Sequence, residues 1–231
     1  MNLTGKKIAV TGASGALGTA IVKGVRAAGG LVAAIDRHST ADELRSLSGV
    51  ELLSGFDLGK PDDAARAIQE AATRLGGLDG LVNVAGTFRW ETIEAGSAET
   101  WDLLYRVNLA TAVNASRAAV PILSSSGAGR IVNIGAAGAL KASAGMGAYA
   151  ASKAGVIKLT EALAEETKAR NITVNAVLPS IIDTPTNRAD IPTAKFDNWV
   201  RAEQIADLIV FLLSDRASAI TGAAIPIVGR V

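Results

Sequence analysis

Lys7-Ile8-Ala9-Val10-Thr11-Gly12-Ala13-Ser14-Gly15-Ala16-Leu17-Gly18 carries a short apolar run through a glycine-rich turn into a helical pattern. The setting between strand and helix gives the turn its meaning, because scattered glycines alone are weak signals. A tight turn needs one glycine, a pyrophosphate can approach the backbone only where side chains are missing, and helix packs on strand closely only over a third. The helix start then offers unpaired N–H groups and the positive end of its dipole. Gly12, Ser14, Gly15, Ala16, Leu17 and Gly18 are therefore the candidate phosphate-side residues of a dinucleotide site.

Working outward, apolar runs alternate with helical patterns along the whole chain. Strands are expected at 7–11, 31–35, 50–54, 78–84, 130–134, 173–178 and 223–228. Helices are expected at 16–28, 41–48, 61–75, 100–123, 149–170 and 202–213, with an irregular stretch before the last one. The strand runs are continuously apolar, so both faces should be buried. This alternation predicts an α/β doubly wound parallel sheet of about seven strands, a Rossmann-type fold with helices on both faces. No linker, repeat or low-complexity segment interrupts it, and residues 1–231 are read as one domain.

Bulk properties narrow the classes. Hydrophobic residues make up 49% of the chain and charged residues 19%, against disorder. The formal net charge of +1 gives no electrostatic case for nucleic acid or an anionic membrane. There is no cysteine, hence no disulfide and no thiolate chemistry. No cluster has metal-ligand spacing, and no secretory signal or membrane-length apolar span is present, so a cytoplasmic protein acting on a small molecule is expected.

Asp36 follows Gly18 by 18 residues, at the end of the second strand. A carboxylate there accepts hydrogen bonds from ribose hydroxyls and repels a 2′-phosphate. Arg37 pulls the other way; NAD is favoured over NADP. Asp57 and Leu58, after the third strand, are placed against the adenine, although Asp57 could instead cap its own turn. Further on, Tyr149-Ala150-Ala151-Ser152-Lys153 puts a phenol and an ammonium one helical turn apart. A nearby positive charge favours the phenolate and would lower the phenol pKa toward neutrality. His38, the single histidine, is read as solvent-exposed.

The glycine turn, Asn83-Val84-Ala85-Gly86 and Tyr149-x-x-x-Lys153, in this order and spacing, resemble the short-chain dehydrogenase/reductase family over essentially the whole chain. The resemblance implies hydride transfer with NAD(P). It implies Tyr149 as acid/base, with Lys153 lowering its pKa and binding the nicotinamide ribose. Asn108 would hold a water of a proton relay. Asn83, Ala85 and Gly86 would lie along the cofactor or support the sheet. Pro179 and Thr184 would contact the nicotinamide amide, with Ser180 standing where the family has glycine. The helices beginning near Thr100 and Tyr149 match the family's oligomer contacts, so a homodimer or homotetramer is expected.

One family feature is missing. Counting 13 residues back from Tyr149, where the family has a serine that hydrogen-bonds the substrate oxygen, gives Ala136. Loss of one such donor typically costs ~10²–10³-fold in rate. Ser143 is the nearest hydroxyl on that loop. Dihydropteridine reductases share the alanine, and Asp183-Thr184-Pro185-Thr186-Asn187-Arg188, Pro192 and Phe196-Asp197-x-x-Trp199 resemble their short substrate segment. Asn83-Val84-Ala85-Gly86 and Asn108 resemble the wider family instead. Three readings follow: reduction of an activated planar substrate such as a quinonoid dihydropterin; general carbonyl or alcohol chemistry with Ser143 as replacement donor; or a cofactor-binding module without chemistry. Phe88 and Trp90 could stack on a flat heterocycle or simply pack.

Overall fold

Strand β1 (Lys7–Thr11) lies third in a seven-stranded sheet whose order is β3-β2-β1-β4-β5-β6-β9, all neighbours parallel. The other strands are β2 (Leu31–Asp36), β3 (Val50–Ser54), β4 (Gly80–Asn83), β5 (Arg130–Ile134), β6 (Thr173–Pro179) and β9 (Ala224–Ile227). The computed structural model describes residues 1–38 and 42–231. The order reverses between β1 and β4, and a crevice opens there beyond the carboxyl ends of the strands.

The continuously apolar runs are buried on both faces in the inner strands, as β1, β4, β5 and β6 show. The edge strands β3 and β9 are only partly covered. Helices α1 (Ala16–Ala27) and α8 (Ala202–Leu213) close one face, with Ile21, Val25, Ile205 and Ile209 fully buried among strand valines. The opposite face takes α3 (Pro61–Leu75), α5 (Thr111–Ser125) and α6 (Gly147–Thr167). Alanine-rich faces bring these helices close: Ala64, Ala67, Ala71, Ala115 and Ala119 are all buried here.

Three departures from the sequence expectation bear on the site. The helix expected at 41–48 is a short α2 (Asp42–Arg45); Ala41 lies outside the described residues. The single helix expected at 100–123 is α4 (Ala98–Leu104), a π-turn (Tyr105–Ala110) and then α5. The irregular stretch holds α7 (Pro185–Asp190) and a two-stranded parallel ribbon, β7 (Ile182–Asp183) with β8 (Val200–Arg201). Periodicity cannot reveal a π-turn, because the apolar spacing on either side continues to look helical.

Candidate active site

At the reversal point a cavity of about 790 Å³ runs from the glycine turn past β4 to the start of α6. At the glycine-turn end Gly12 has φ +61°, and a Cβ there would lie 2.8 Å from Ala85 Cα. A Cβ on Gly18 would lie 2.2 Å from the Gly12 carbonyl oxygen. The turn is thus bare backbone packed against backbone, and α1 points its free N–H groups into the cavity. Thr11, to which the sequence assigned no role, fixes the other wall. Its buried Oγ1 accepts from Val84 N at 3.1 Å and Ala85 N at 3.3 Å, seating the strip 84–86 beside the turn.

Ser14, Gly15, Ala16 and Leu17 line this end. Ser14 Oγ is a buried hydroxyl without a protein partner, on a residue that lines the cavity. The Asp36 carboxylate accepts from Ser14 N at 2.9 Å and from His38 N at 3.2 Å, so it is held over the cavity. Arg37 and the exposed His38 flank it, the guanidinium donating to His38 Nε2 at 3.2–3.3 Å. Asp57 and Leu58 also line the cavity, and Asp57 caps its own turn through Gly59 N at 3.1 Å. The bare glycine turn, the orphaned hydroxyl and the carboxylate on the cavity wall fit a dinucleotide.

At the far end Ala85, Gly86, Tyr149, Lys153, Pro179 and Thr184 come together. Lys153 is buried and donates from Nζ to the Ile134 carbonyl at 2.8 Å. Burial lowers its pKa from the usual 10.5 to about 8. Burial also pushes the Tyr149 phenol up to about 12, opposite to the direction expected from the lysine neighbour. The physical reason is that a phenolate loses its hydration here, while the lysine is desolvated as well and its ammonium is engaged by Ile134. Phe88 stands edge-on to the Tyr149 ring, centroids 4.9 Å apart.

Two expected site residues, Asn83 from the cofactor side and Asn108 from the proton relay, do not line the cavity. Asn83 is buried in the sheet, where Nδ2 donates to Asn133 Oδ1 at 2.8 Å and to Ser116 Oγ at 3.0 Å; Asn133 Nδ2 continues to Thr160 Oγ1 at 2.9 Å. Its position is that of a brace joining β4, β5, α5 and α6. Asn108 sits behind Gly86, on the π-turn, and is also buried.

Ala136 is buried and has no hydroxyl to offer. Ser143 is exposed and does not line the cavity, which corrects its reading as a replacement donor. The loop around it is tied outward: Trp90 Nε1 donates to Ala144 O at 3.0 Å, Glu91 N donates to Gly145 O at 2.9 Å, and the Trp90 ring covers Gly145 so closely that no Cβ would fit. Trp90 itself does not line the cavity, so it packs a loop instead of stacking in the site. The hydroxyl of Ser180, which does line it, donates to Val228 O at 2.9 Å. Thr184 Oγ1 caps α7 by accepting from Asn187 N at 3.2 Å. Thr87, Arg89, Leu103 and Val107 also line the wall; nothing in the sequence marked them, since Thr87 and Arg89 lie on a loop without periodicity and Leu103 and Val107 sit where α4 runs into the π-turn. Among the described residues no cluster could hold a metal ion, and no helix is long and apolar enough to cross a membrane.

Comparison with known proteins agrees with this architecture. The pattern of the family described as short chain dehydrogenase matches residues 6–195. A D-beta-hydroxybutyrate dehydrogenase of Rhizobium meliloti is 33% identical over 94% of this chain and 95% of its own. A 3-oxoacyl-(acyl-carrier-protein) reductase of Thermotoga maritima is 32% identical over 99% of this chain and 98% of its own. A solved short-chain type dehydrogenase/reductase from Mycobacterium ulcerans superposes with a TM-score of 0.93 at 26% identity, covering 99% of this chain and 90% of that one. The chain belongs to the short-chain dehydrogenase family. It is an oxidoreductase of the NAD(P)-dependent kind that this family comprises.

Proposed function

We propose that residues 1–231 act as one unit that reduces an activated, planar substrate such as a quinonoid dihydropterin, with NADH as the favoured donor. The observation that carries this reading is the pairing of a half-buried Tyr149 phenol that lines the cavity with a buried, hydroxyl-free Ala136, while Ser143 is exposed outside it. Without a second donor the site stabilises a developing oxyanion poorly, which suits a conjugated substrate that accepts hydride without building a localised charge. The short segment after β7, which begins at the cavity wall with Thr184, supports the same reading. There the Arg188 guanidinium pairs with both Asp183 oxygens at 2.6 and 2.8 Å and lies 4.7 Å from the Phe196 ring centroid.

The bound dinucleotide would supply the hydride, its pyrophosphate at the turn 12–18 and its adenosine ribose at Asp36. Tyr149, its phenol pushed up to about 12 and so protonated throughout the neutral range, is the group placed to donate a proton to the reduced substrate atom. Lys153, lowered to about 8, is still mostly protonated at neutral pH, and its positive charge eases departure of that proton. Asp36 supports NADH; Arg37 and His38 are the groups that would have to receive a 2′-phosphate.

A panel of quinonoid dihydropterins and quinones with NADH or NADPH tests the proposal. Turnover lost in Tyr149→Phe is expected, and no turnover of any of them sinks it. The relatives' names favour a second reading, reduction of 3-oxo or oxidation of 3-hydroxy acids and their thioesters. Turnover of those compounds in place of the pterins would select it. Ala136→Ser separates the two, because a restored hydroxyl should raise simple-carbonyl activity by ~10-fold or more if its absence sets the substrate class.

A further inference from the structure

The π-turn at Tyr105–Ala110 interrupts an otherwise α-helical stretch, and such turns recur at functional positions because they redirect one side chain. Here the redirected residue is Asn108, and both ends of its amide are used. Oδ1 accepts from Thr87 N at 2.7 Å; Nδ2 donates to Ser152 Oγ at 3.0 Å. Ser152 Oγ in turn donates to the Tyr149 carbonyl at 2.8 Å. Because the Ser152 proton goes to Tyr149, its oxygen must accept from Asn108, and the amide orientation is thereby fixed. Asn108 and Ser152 are both buried.

This chain of bonds surrounds the reacting end of the cavity. A Cβ on Gly86 would lie 3.0 Å from Asn108 Oδ1 and 3.2 Å from Lys153 Nζ, so the amide oxygen and the ammonium flank the same glycine. Gly86 and Thr87 form the wall of the cavity at that point. We propose that Ser152 is a positioning residue for hydride transfer, acting through Asn108 to fix the Gly86–Thr87 wall and the surroundings of Lys153. Without its oxygen, Asn108 Nδ2 is a buried donor with no acceptor, and a flipped amide would turn N–H toward the Thr87 N–H. The wall and the amide beside Lys153 would then lose their common anchor.

The proposal rests on the oxidoreductase reading of this site, and the experiment keeps the two apart. Wild type, Ser152→Ala and Ser152→Thr are compared in dinucleotide binding by fluorescence, in kcat and KM, and in the pH profile of kcat/KM with the best substrate of the panels above. Displacement of reacting groups by a fraction of an ångström predicts a kcat lower by ~10- to ~100-fold in Ser152→Ala, with a displaced pH profile and KM for the substrate changed less than ~3-fold. Ser152→Thr, which keeps an oxygen able to bond the preceding turn, should restore both. A reduced amount of active enzyme with wild-type pH profile and unchanged turnover per bound dinucleotide would show a structural role only and overturn the inference. Wild-type behaviour in Ser152→Ala would also overturn it. Should the alanine variant not fold, Ser152→Cys fills nearly the same volume with a weak acceptor and decides by the same readouts. A wild-type chain that binds neither NADH nor NADPH overturns this inference together with the reading beneath it.

Discussion

Replacing Lys153 by methionine should remove activity and also change how the stability of the chain depends on pH. The ammonium is buried, and its pKa falls from the usual 10.5 to about 8. Between those values the unfolded chain holds a proton that the folded chain has shed, so stability rises with pH across this window. At ~1.4 kcal/mol per pH unit, the charged lysine destabilises the fold by ~3 kcal/mol at pH 7 and by only ~1.4 kcal/mol at pH 9.5. Methionine has no such charge, but it leaves the Ile134 carbonyl without its donor, which costs ~1–3 kcal/mol at any pH. The two chains should therefore be nearly equal in stability at pH 7, or the variant slightly ahead. The wild type should gain ~2 kcal/mol on the variant between pH 7 and 9.5, or ~4–8 °C in Tm for a chain of this length. Tyr149 does not disturb the comparison, since its phenol, raised to about 12, makes the fold less stable only above the ordinary tyrosine pKa near 10. Urea unfolding of both chains at the two pH values measures the difference. A gap that stays constant would refute the assignment of a buried, low-pKa ammonium.

Other consequences can be checked as directly. Gly12→Ala meets Ala85 backbone at 2.8 Å with φ +61°, so dinucleotide affinity measured by fluorescence titration should fall ~100-fold or more while the fold survives. Asp36→Ala removes the carboxylate that repels a 2′-phosphate and should move the NADPH-to-NADH ratio of kcat/KM toward NADPH by ~10-fold or more; an unchanged ratio would show that another group sets preference. Arg188→Ala breaks an exposed ion pair with Asp183 and the contact with Phe196, so global stability should change by less than ~1 kcal/mol while limited proteolysis within 185–199 becomes faster. Trp101 and Tyr105 leave large aromatic surface exposed along α4 and the π-turn, 43% and 60% respectively. Light scattering should report a dimer or tetramer, and Tyr105→Lys should shift it toward monomer.

The sequence by itself determined the doubly wound sheet, because seven continuously apolar runs separated by helix-length amphipathic segments can be buried only between two helical layers. It also picked out the glycine turn, Asp36 and the Tyr149/Lys153 pair, which line one cavity in the fold, since each depends on local spacing that survives into it. Only the tertiary structure decided the electrostatics of the pair: burial of both groups, invisible along the chain, raises Tyr149 and lowers Lys153. It likewise turned Asn83 into an internal brace and moved Ser143 outside through the Trp90 and Glu91 contacts. Asn108 met Ser152 only through a π-turn that helical periodicity conceals. Local spacing can choose which residues reach the crevice, but contacts between residues far apart in the chain set their charge, orientation and partners.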